Sequence, residues 1–153
     1  MKRLFIVLII GFLFSSCDTN KVFEDYSSIN PDGWHKDSLV VFDVLSEDTT
    51  ANHNIYINIR NKGNYANSNI WLFLEVNSPG GEILTDTVEF TLAEPSGRWK
   101  GSGIGDLYDN QFLYRKNVFF PESGEYRFSL QQGMRSDVLP GINDVGIRIE
   151  KQN

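Results

Sequence analysis

The chain has 153 residues, with 14 Lys+Arg against 20 Asp+Glu and a net charge of −6, and 13% of it is aromatic. That length makes one domain with room for a hydrophobic core. The acidic balance excludes a binder of phosphate backbone, which needs a basic face, so no nucleic-acid partner is expected.

The first segment reads as a leader. Lys2 and Arg3 are followed by an apolar run, Leu4 to Phe14, broken by Gly11, and then by Ser15 and Ser16. The run is shorter than the about 20 residues a spanning helix requires and has the layout of a signal peptide. Cys17, the sole cysteine of the sequence, comes next. A small residue before Cys at the end of such a run is the bacterial lipobox arrangement, although Phe14 stands where the strictest form has Leu. Its thiol takes a diacylglyceryl group, and its freed amine takes a further acyl chain. At about 0.8 kcal/mol per buried CH₂, two or more chains hold a protein stably on a membrane. The other reading is an ordinary secretory leader with a chance Cys at the cut. The expected organisation is a signal peptide over 1–16, lipidated Cys17 and a tether over 17–21, and a domain over 22–153. Loss of Lys2 and Arg3 leaves 12 basic against 20 acidic residues, a net of −8. With no second thiol, the domain folds without an internal disulfide.

Past the tether the chain alternates apolar and polar residues in the manner of half-buried strands. The pattern predicts strands at 22–26, 39–44, 54–60, 70–76, 82–92, 112–120, 125–131 and 145–149. Inward positions include Val40, Phe42 and Val44, then Ile55, Ile57 and Ile59, then Leu72 and Leu74, and later Tyr126, Phe128 and Leu130. Trp71 and Phe73 fall on the second face of their strand, which suggests cover on both sides. Turn signals occur at Asn30-Pro31-Asp32-Gly33, Ser78-Pro79-Gly80-Gly81 and Pro121-Glu122-Ser123-Gly124. Residues 94–110 and 132–142 read as irregular. About eight short strands without an amphipathic helix imply an all-β fold: a two-sheet antiparallel β-sandwich, immunoglobulin-like or jelly-roll.

The stretch Gly97-Arg98-Trp99-Lys100-Gly101-Ser102-Gly103-Ile104-Gly105-Asp106 is rich in glycine. It is neither a Rossmann fingerprint, which would need Gly in place of Asp106, nor a P-loop. It reads as a loop of close backbone approach, or as a binding loop that presents Arg98 and Trp99. Asp106 and Asp109 are two acids in a loop, short of a calcium set. His35 and His53 lie among polar residues without zinc-ligand spacing, so no metal is expected. No nucleophile, base and orienter set is visible, and neither an enzyme nor a cofactor is expected. Trp34 and Trp99, in loops, are candidates for stacking on a sugar, whereas Trp71 sits mid-strand and reads as core.

Several short pieces carry more. They are Phe23-Glu24-Asp25-Tyr26, Asn69-Ile70-Trp71-Leu72, the stretch from Gly97 to Asp106, Pro121-Glu122-Ser123-Gly124-Glu125-Tyr126, Gln132-Gly133-Met134-Arg135, and Ile142-Asn143-Asp144-Val145-Gly146-Ile147-Arg148-Ile149-Glu150. In this order behind a lipobox, the chain resembles the gliding-motility lipoproteins called GldH. The resemblance implies an accessory lipoprotein of the machinery that moves surface adhesins in gliding Gram-negative bacteria and is intertwined with type IX secretion. It brings no catalytic residue. Expected partners are the membrane, through Cys17, and other gliding or type IX secretion proteins. The outer membrane, facing the periplasm, is the expected site, although Asp18 directly after the lipidated Cys retains lipoproteins in the inner membrane of some bacteria. Loops often carry function. The two irregular stretches, with Arg98, Trp99 and Asp106 in one and Met134 and Arg135 in the other, are either a docking site at one end of the sandwich or a plug that closes it. The alternative function is a glycan-binding or nutrient-uptake lipoprotein using Trp34 and Trp99.

Overall fold

The computed structural model describes residues 18–152, so the leader and Cys17 lie outside the described residues. Every element among them is a strand: β1 (Lys21–Ser28), β2 (Trp34–His35), β3 (Val40–Ser46), β4 (Asn52–Lys62), β5 (Asn69–Asn77), β6 (Ile83–Thr91), β7 (Leu107–Phe119), β8 (Gly124–Gln132), β9 (Val138–Leu139) and β10 (Ile142–Lys151).

The pairings are nested. β1 pairs with β10, β2 with β9, β3 with β8, β4 with β7 and β5 with β6, all antiparallel. The chain is in effect one long antiparallel ribbon, wrapped so that its pairs divide between two four-stranded sheets, β1-β10-β4-β7 and β3-β8-β5-β6. This wrapping is the jelly roll, and it decides between the two sandwich types that alternation leaves open.

Period-two burial explains why these segments become these strands. In β3 the pattern is strict, with Val40, Phe42 and Val44 buried and Val41, Asp43 and Leu45 exposed. Ile55, Ile57 and Ile59 of β4 face Leu72 and Leu74 of β5, Phe128 and Leu130 of β8 and Ile147 and Ile149 of β10 in a single core. At about 25 cal/mol per Å² of apolar surface removed from water, this core is the main source of stability in a domain without disulfides.

Register also fixes what each end of the sandwich holds. The start of β1, the end of β10, the start of β4 and the end of β7 lie together, through the pairs Lys21↔Glu150, Lys151↔His53 and Asn52↔Phe119. This end also carries the connections 47–51, 78–82 and 120–123. The far end carries the connections 29–39, 63–68, 92–106 and 133–141.

Three expectations change. Residues 18–20 do not form a free tether: the Arg148 guanidinium donates to the Asp18 carboxylate, and Lys151 N–H donates to the Asn20 carbonyl at 2.8 Å. The irregular stretch after β6 ends at residue 106, because β7 begins at Leu107 and pairs with Lys62 there. Trp71 and Phe73 are not covered: they lie on the outer face of β5, 39% and 45% exposed.

Candidate functional site

The two irregular stretches leave the same end of the sandwich and are joined through the connection 63–68. On one side, the backbone N–H groups of Leu92 and Ala93 donate to the Ser68 carbonyl at 2.7 and 3.0 Å. The Trp99 ring is half-buried, with Tyr65 at 6.3 Å and Tyr108 at 5.8 Å between centroids. Tyr65 is buried, its hydroxyl donates to the Asn69 carbonyl at 2.9 Å, and burial pushes its phenol up to about 12. On the other side, Asn67 and Asn69 line a shallow depression together with Trp71, Gly133, Met134 and Arg135.

Within the first stretch the side chains mainly hold the loop itself. Arg98 donates to Glu94 at 2.6 and 3.1 Å, an exposed pair of small energetic value. That contact draws the Glu94 carboxyl below its usual range against an opposing desolvation, with a smaller contribution from Ser96. Asp106 accepts the Gly63 N–H at 3.0 Å and so pins the loop to the end of β4. Glycine is required at position 103, where a Cβ would stand 1.8 Å from the Leu107 carbonyl oxygen.

In the second stretch, buried Gln132 shapes the loop. Its amide donates to the Ser136 carbonyl and accepts from Met134 N–H, each at 2.8 Å. Met134 is thereby laid over β5, where its sulfur accepts the Trp71 N–H at 3.3 Å. Arg135 stands exposed beside it. A Cβ at Gly133 would come within 3.2 Å of the Phe73 ring, so the loop backbone rests against that ring.

The result is an apolar strip on the outer face of the sheet β3-β8-β5-β6, next to the far end. It comprises Trp71 and Phe73 of β5, at 39% and 45% exposure, while Leu39 and Val41, at 57% and 43%, lie across β8 beyond Ser129 and Gln131. Met134 and Arg135 border it. Trp71 and Phe73 escaped notice in the sequence because a second apolar face on a strand reads as core. The discriminating signal was the opposing register: Trp71 pairs with Glu89 and Phe73 with Thr87, residues of a solvated face.

The residues expected to stack on sugar do not do so together. Trp34 is buried at 1% exposure, forms the β2–β9 pair with Leu139, and donates its indole N–H to the Ser38 carbonyl at 2.9 Å. Its ring is part of the core and faces no ligand. The surroundings of His53 are also corrected: it is 2% exposed, against the Phe120 ring at 5.1 Å. Asp109 is paired with Arg60 at 3.2 Å, while Asp106 holds Gly63. Among the described residues, no three His, Cys, Asp or Glu side chains are grouped so as to hold a metal ion.

A jelly-roll sandwich fastened at residue 18, with uncovered aromatic rings toward the opposite end, defines the structural class: a β-sandwich domain. Residues 21–149 match the model of the GldH lipoprotein family, and the chain belongs to that family. It is 44% identical over 163 residues to the gliding motility lipoprotein GldH homolog of Christiangramia forsetii, covering 100% of this chain and 99% of the relative. It is 34% identical over 160 residues to the gliding motility lipoprotein GldH of Flavobacterium johnsoniae, with the same coverage of 100% and 99%. Among solved structures, the infectious bursal disease virus VP2 subviral particle matches 85% of this chain and 30% of its own, at 9% identity and a TM-score of 0.39.

Proposed function

We propose that this protein is a non-enzymatic interaction subunit of the gliding-motility machinery linked to type IX secretion, held on the outer membrane through the lipid on Cys17 and facing the periplasm. Membership of the GldH lipoprotein family supports the gliding role. The docking role rests on one observation, the exposed strip of Trp71 and Phe73 bordered by Met134 and Arg135. Aromatic side chains, Met and Arg are the residues enriched at protein interfaces, and a few of them dominate the binding energy. The strip lies toward the end opposite the anchor, where a partner meets it without crossing the lipid headgroups. Arg98, Trp99 and Asp106 serve as the plug that holds this end, and Arg135 reaches the partner.

The test is capture from the native envelope after mild crosslinking. Gliding or type IX secretion components should accompany the wild type and be lost from the double variant Trp71→Ala, Phe73→Ala, while Arg98→Ala retains them. Recovery of the wild type alone would sink the proposal. A glycan-binding role draws on the same two rings, which stand two residues apart on one face. It requires quenching of Trp71 fluorescence by envelope polysaccharide, and capture alongside a glycan-uptake system.

A further inference from the structure

The anchor end of the sandwich holds a feature that the docking role does not use. Along most of their length the free edges of β6 and β7 are bridged by side chains. Phe90 stacks on Phe112 at 4.6 Å, and the Tyr114 hydroxyl donates to Asp86 at 3.2 Å. Arg115 also donates to Asp86, and beyond it the bridging stops. There the β4–β7 register slips twice, between His53 and Ile55 and between Ile55 and Tyr56, and Asn117 takes a φ of 57°. Bulges of this kind bend a strand and raise its twist. The end of β7 diverges from β6, and an open cleft of about 290 Å³ runs inward between the sheets. Ile55, Val76, Leu84, Val118, Phe120 and Phe128 line it, and Arg115 and Glu122 stand at its mouth.

The cleft opens at the end that carries the anchor. Asp18, the residue after Cys17, is bound to Arg148 on β10, two strands across the sheet from β7. At about 4.8 Å per strand this places the Asp18 contact about 10 Å across the sheet from β7, at the same end of the sandwich. That rim carries exposed apolar side chains among charged ones such as Glu47, Glu82 and Glu122: Val22, Leu45, Ile83, Leu84 and Phe119 are 49%, 62%, 61%, 51% and 51% exposed. A chain fastened to a bilayer one residue before its first ordered contact holds this rim against the lipid.

We infer that the cleft between β6 and β7 is a binding site for one acyl chain, drawn from a phospholipid of the membrane that holds the anchor. The chain enters past Leu84 and Phe119, its methylenes lie against the aliphatic and aromatic lining, and its headgroup stays outside in water. An exposed apolar cleft is costly in water and favourable once filled by hydrocarbon. The inference is independent of the partner proposed above, because it concerns the opposite end of the molecule.

The experiment uses the lipidated full chain in vesicles of phosphatidylethanolamine and phosphatidylglycerol, doped with a phosphatidylethanolamine whose acyl chain ends in a diazirine. After irradiation, adducts are placed by peptide mass spectrometry. The mass of the probe separates bilayer phospholipid from the protein's own anchor or from another lipoprotein. Adducts should fall on residues 114–120 and on Leu84. They should disappear from those positions in Val118→Trp, which fills the cleft, and in Leu84→Arg, which charges its exposed mouth without touching the core. Circular dichroism establishes that each variant is folded. Adducts confined to Leu45 and Ile83, or unchanged in folded Leu84→Arg, would overturn the inference. So would a folded wild type unlabelled within the cleft, whether it stays empty or is filled from another source.

Discussion

Arg148 on β10 binds Asp18, the residue directly after Cys17. The same guanidinium donates to Glu150 at 2.6 Å and to Glu24 of β1 at 3.0 Å, and its side chain is only 13% exposed. One cation therefore fastens the start of the domain, the first strand and the last strand together. Arg148→Ala should destabilise the domain by about 2 kcal/mol, since it removes charged hydrogen bonds and leaves three carboxylates side by side. Urea unfolding measures this. Limited proteolysis should also cut the variant near residues 18–21 faster than the wild type. Arg148→Lys should recover little, because a single ammonium cannot hold three carboxylates from the fork geometry of a guanidinium.

Trp34 and Trp71 should behave in opposite ways. Trp34 is 1% exposed, and Trp34→Ala should cost about 4 kcal/mol of folding stability, within the range for large-to-small changes in a packed core. Trp71 lies on the outer face, and Trp71→Ala should change stability by no more than about 0.5 kcal/mol while weakening partner capture. Thermal melts and envelope capture on the two variants provide the comparison. A loss of stability at Trp71 equal to that at Trp34 would remove the basis for the docking strip.

The strands that alternate cleanly were legible. β3 and β8 follow the period-two pattern throughout, β4 does so but for buried Asn58, and β10 does so from Ile147 onward, because one face meets the core and the other meets water or neighbouring polar groups. Where that cause is absent, sequence reading failed in specific ways. Trp34 sits in a strand of only two residues, too short for any periodicity, and the ribbon partner that buries it is more than 100 residues away. The first half of β7, Leu107 to Gln111, looked irregular because Asp109 and Asn110 are poor strand formers. They are held there by Arg60 and by the Ile59 carbonyl and Asn61 side chain. Trp71 and Phe73 misled in the other direction, since apolar residues on an uncovered face carry the same letters as a core. The cleft beside β7 depends on two register slips, and slips leave no mark in a hydropathy pattern.

Gly141 offers a test of how the far end is assembled. Its φ is +90°, and a Cβ there would stand 2.7 Å from the Tyr65 Cα. Gly141 also accepts the Lys62 N–H at 2.8 Å, so it locks the connection after β9 onto the end of β4. Gly141→Ala combines a left-handed backbone with a clash, and should cost about 2 kcal/mol. The near-ultraviolet signal of the Tyr65–Trp99–Tyr108 cluster should change with it. An unchanged melting temperature would mean that residues 133–141 move freely of Tyr65.

His53 gives the domain a sensitivity to mild acid. The imidazole is buried against Phe120, its Nδ1 has no hydrogen-bond partner, and desolvation lowers its pKa below the ordinary 6.5. The sign follows from proton counting. Below 6.5 the unfolded chain takes up a proton that the folded chain refuses, so stability is undiminished above 6.5 and declines as pH falls beneath it toward the lower folded value. His35 is the other histidine, and it lies half exposed at the far end beside Asp37. The melting temperature of the wild type should therefore drop between pH 7 and pH 5. His53→Leu should flatten that part of the profile. Equal slopes in wild type and His53→Leu would mean that His53 is not the source of the acid sensitivity. Asp18, Asp43 and Asp48 are held below their usual range chiefly by hydrogen bonds from Arg148, Arg127 and Lys151, so their contribution is lost only as pH falls beneath 3.8.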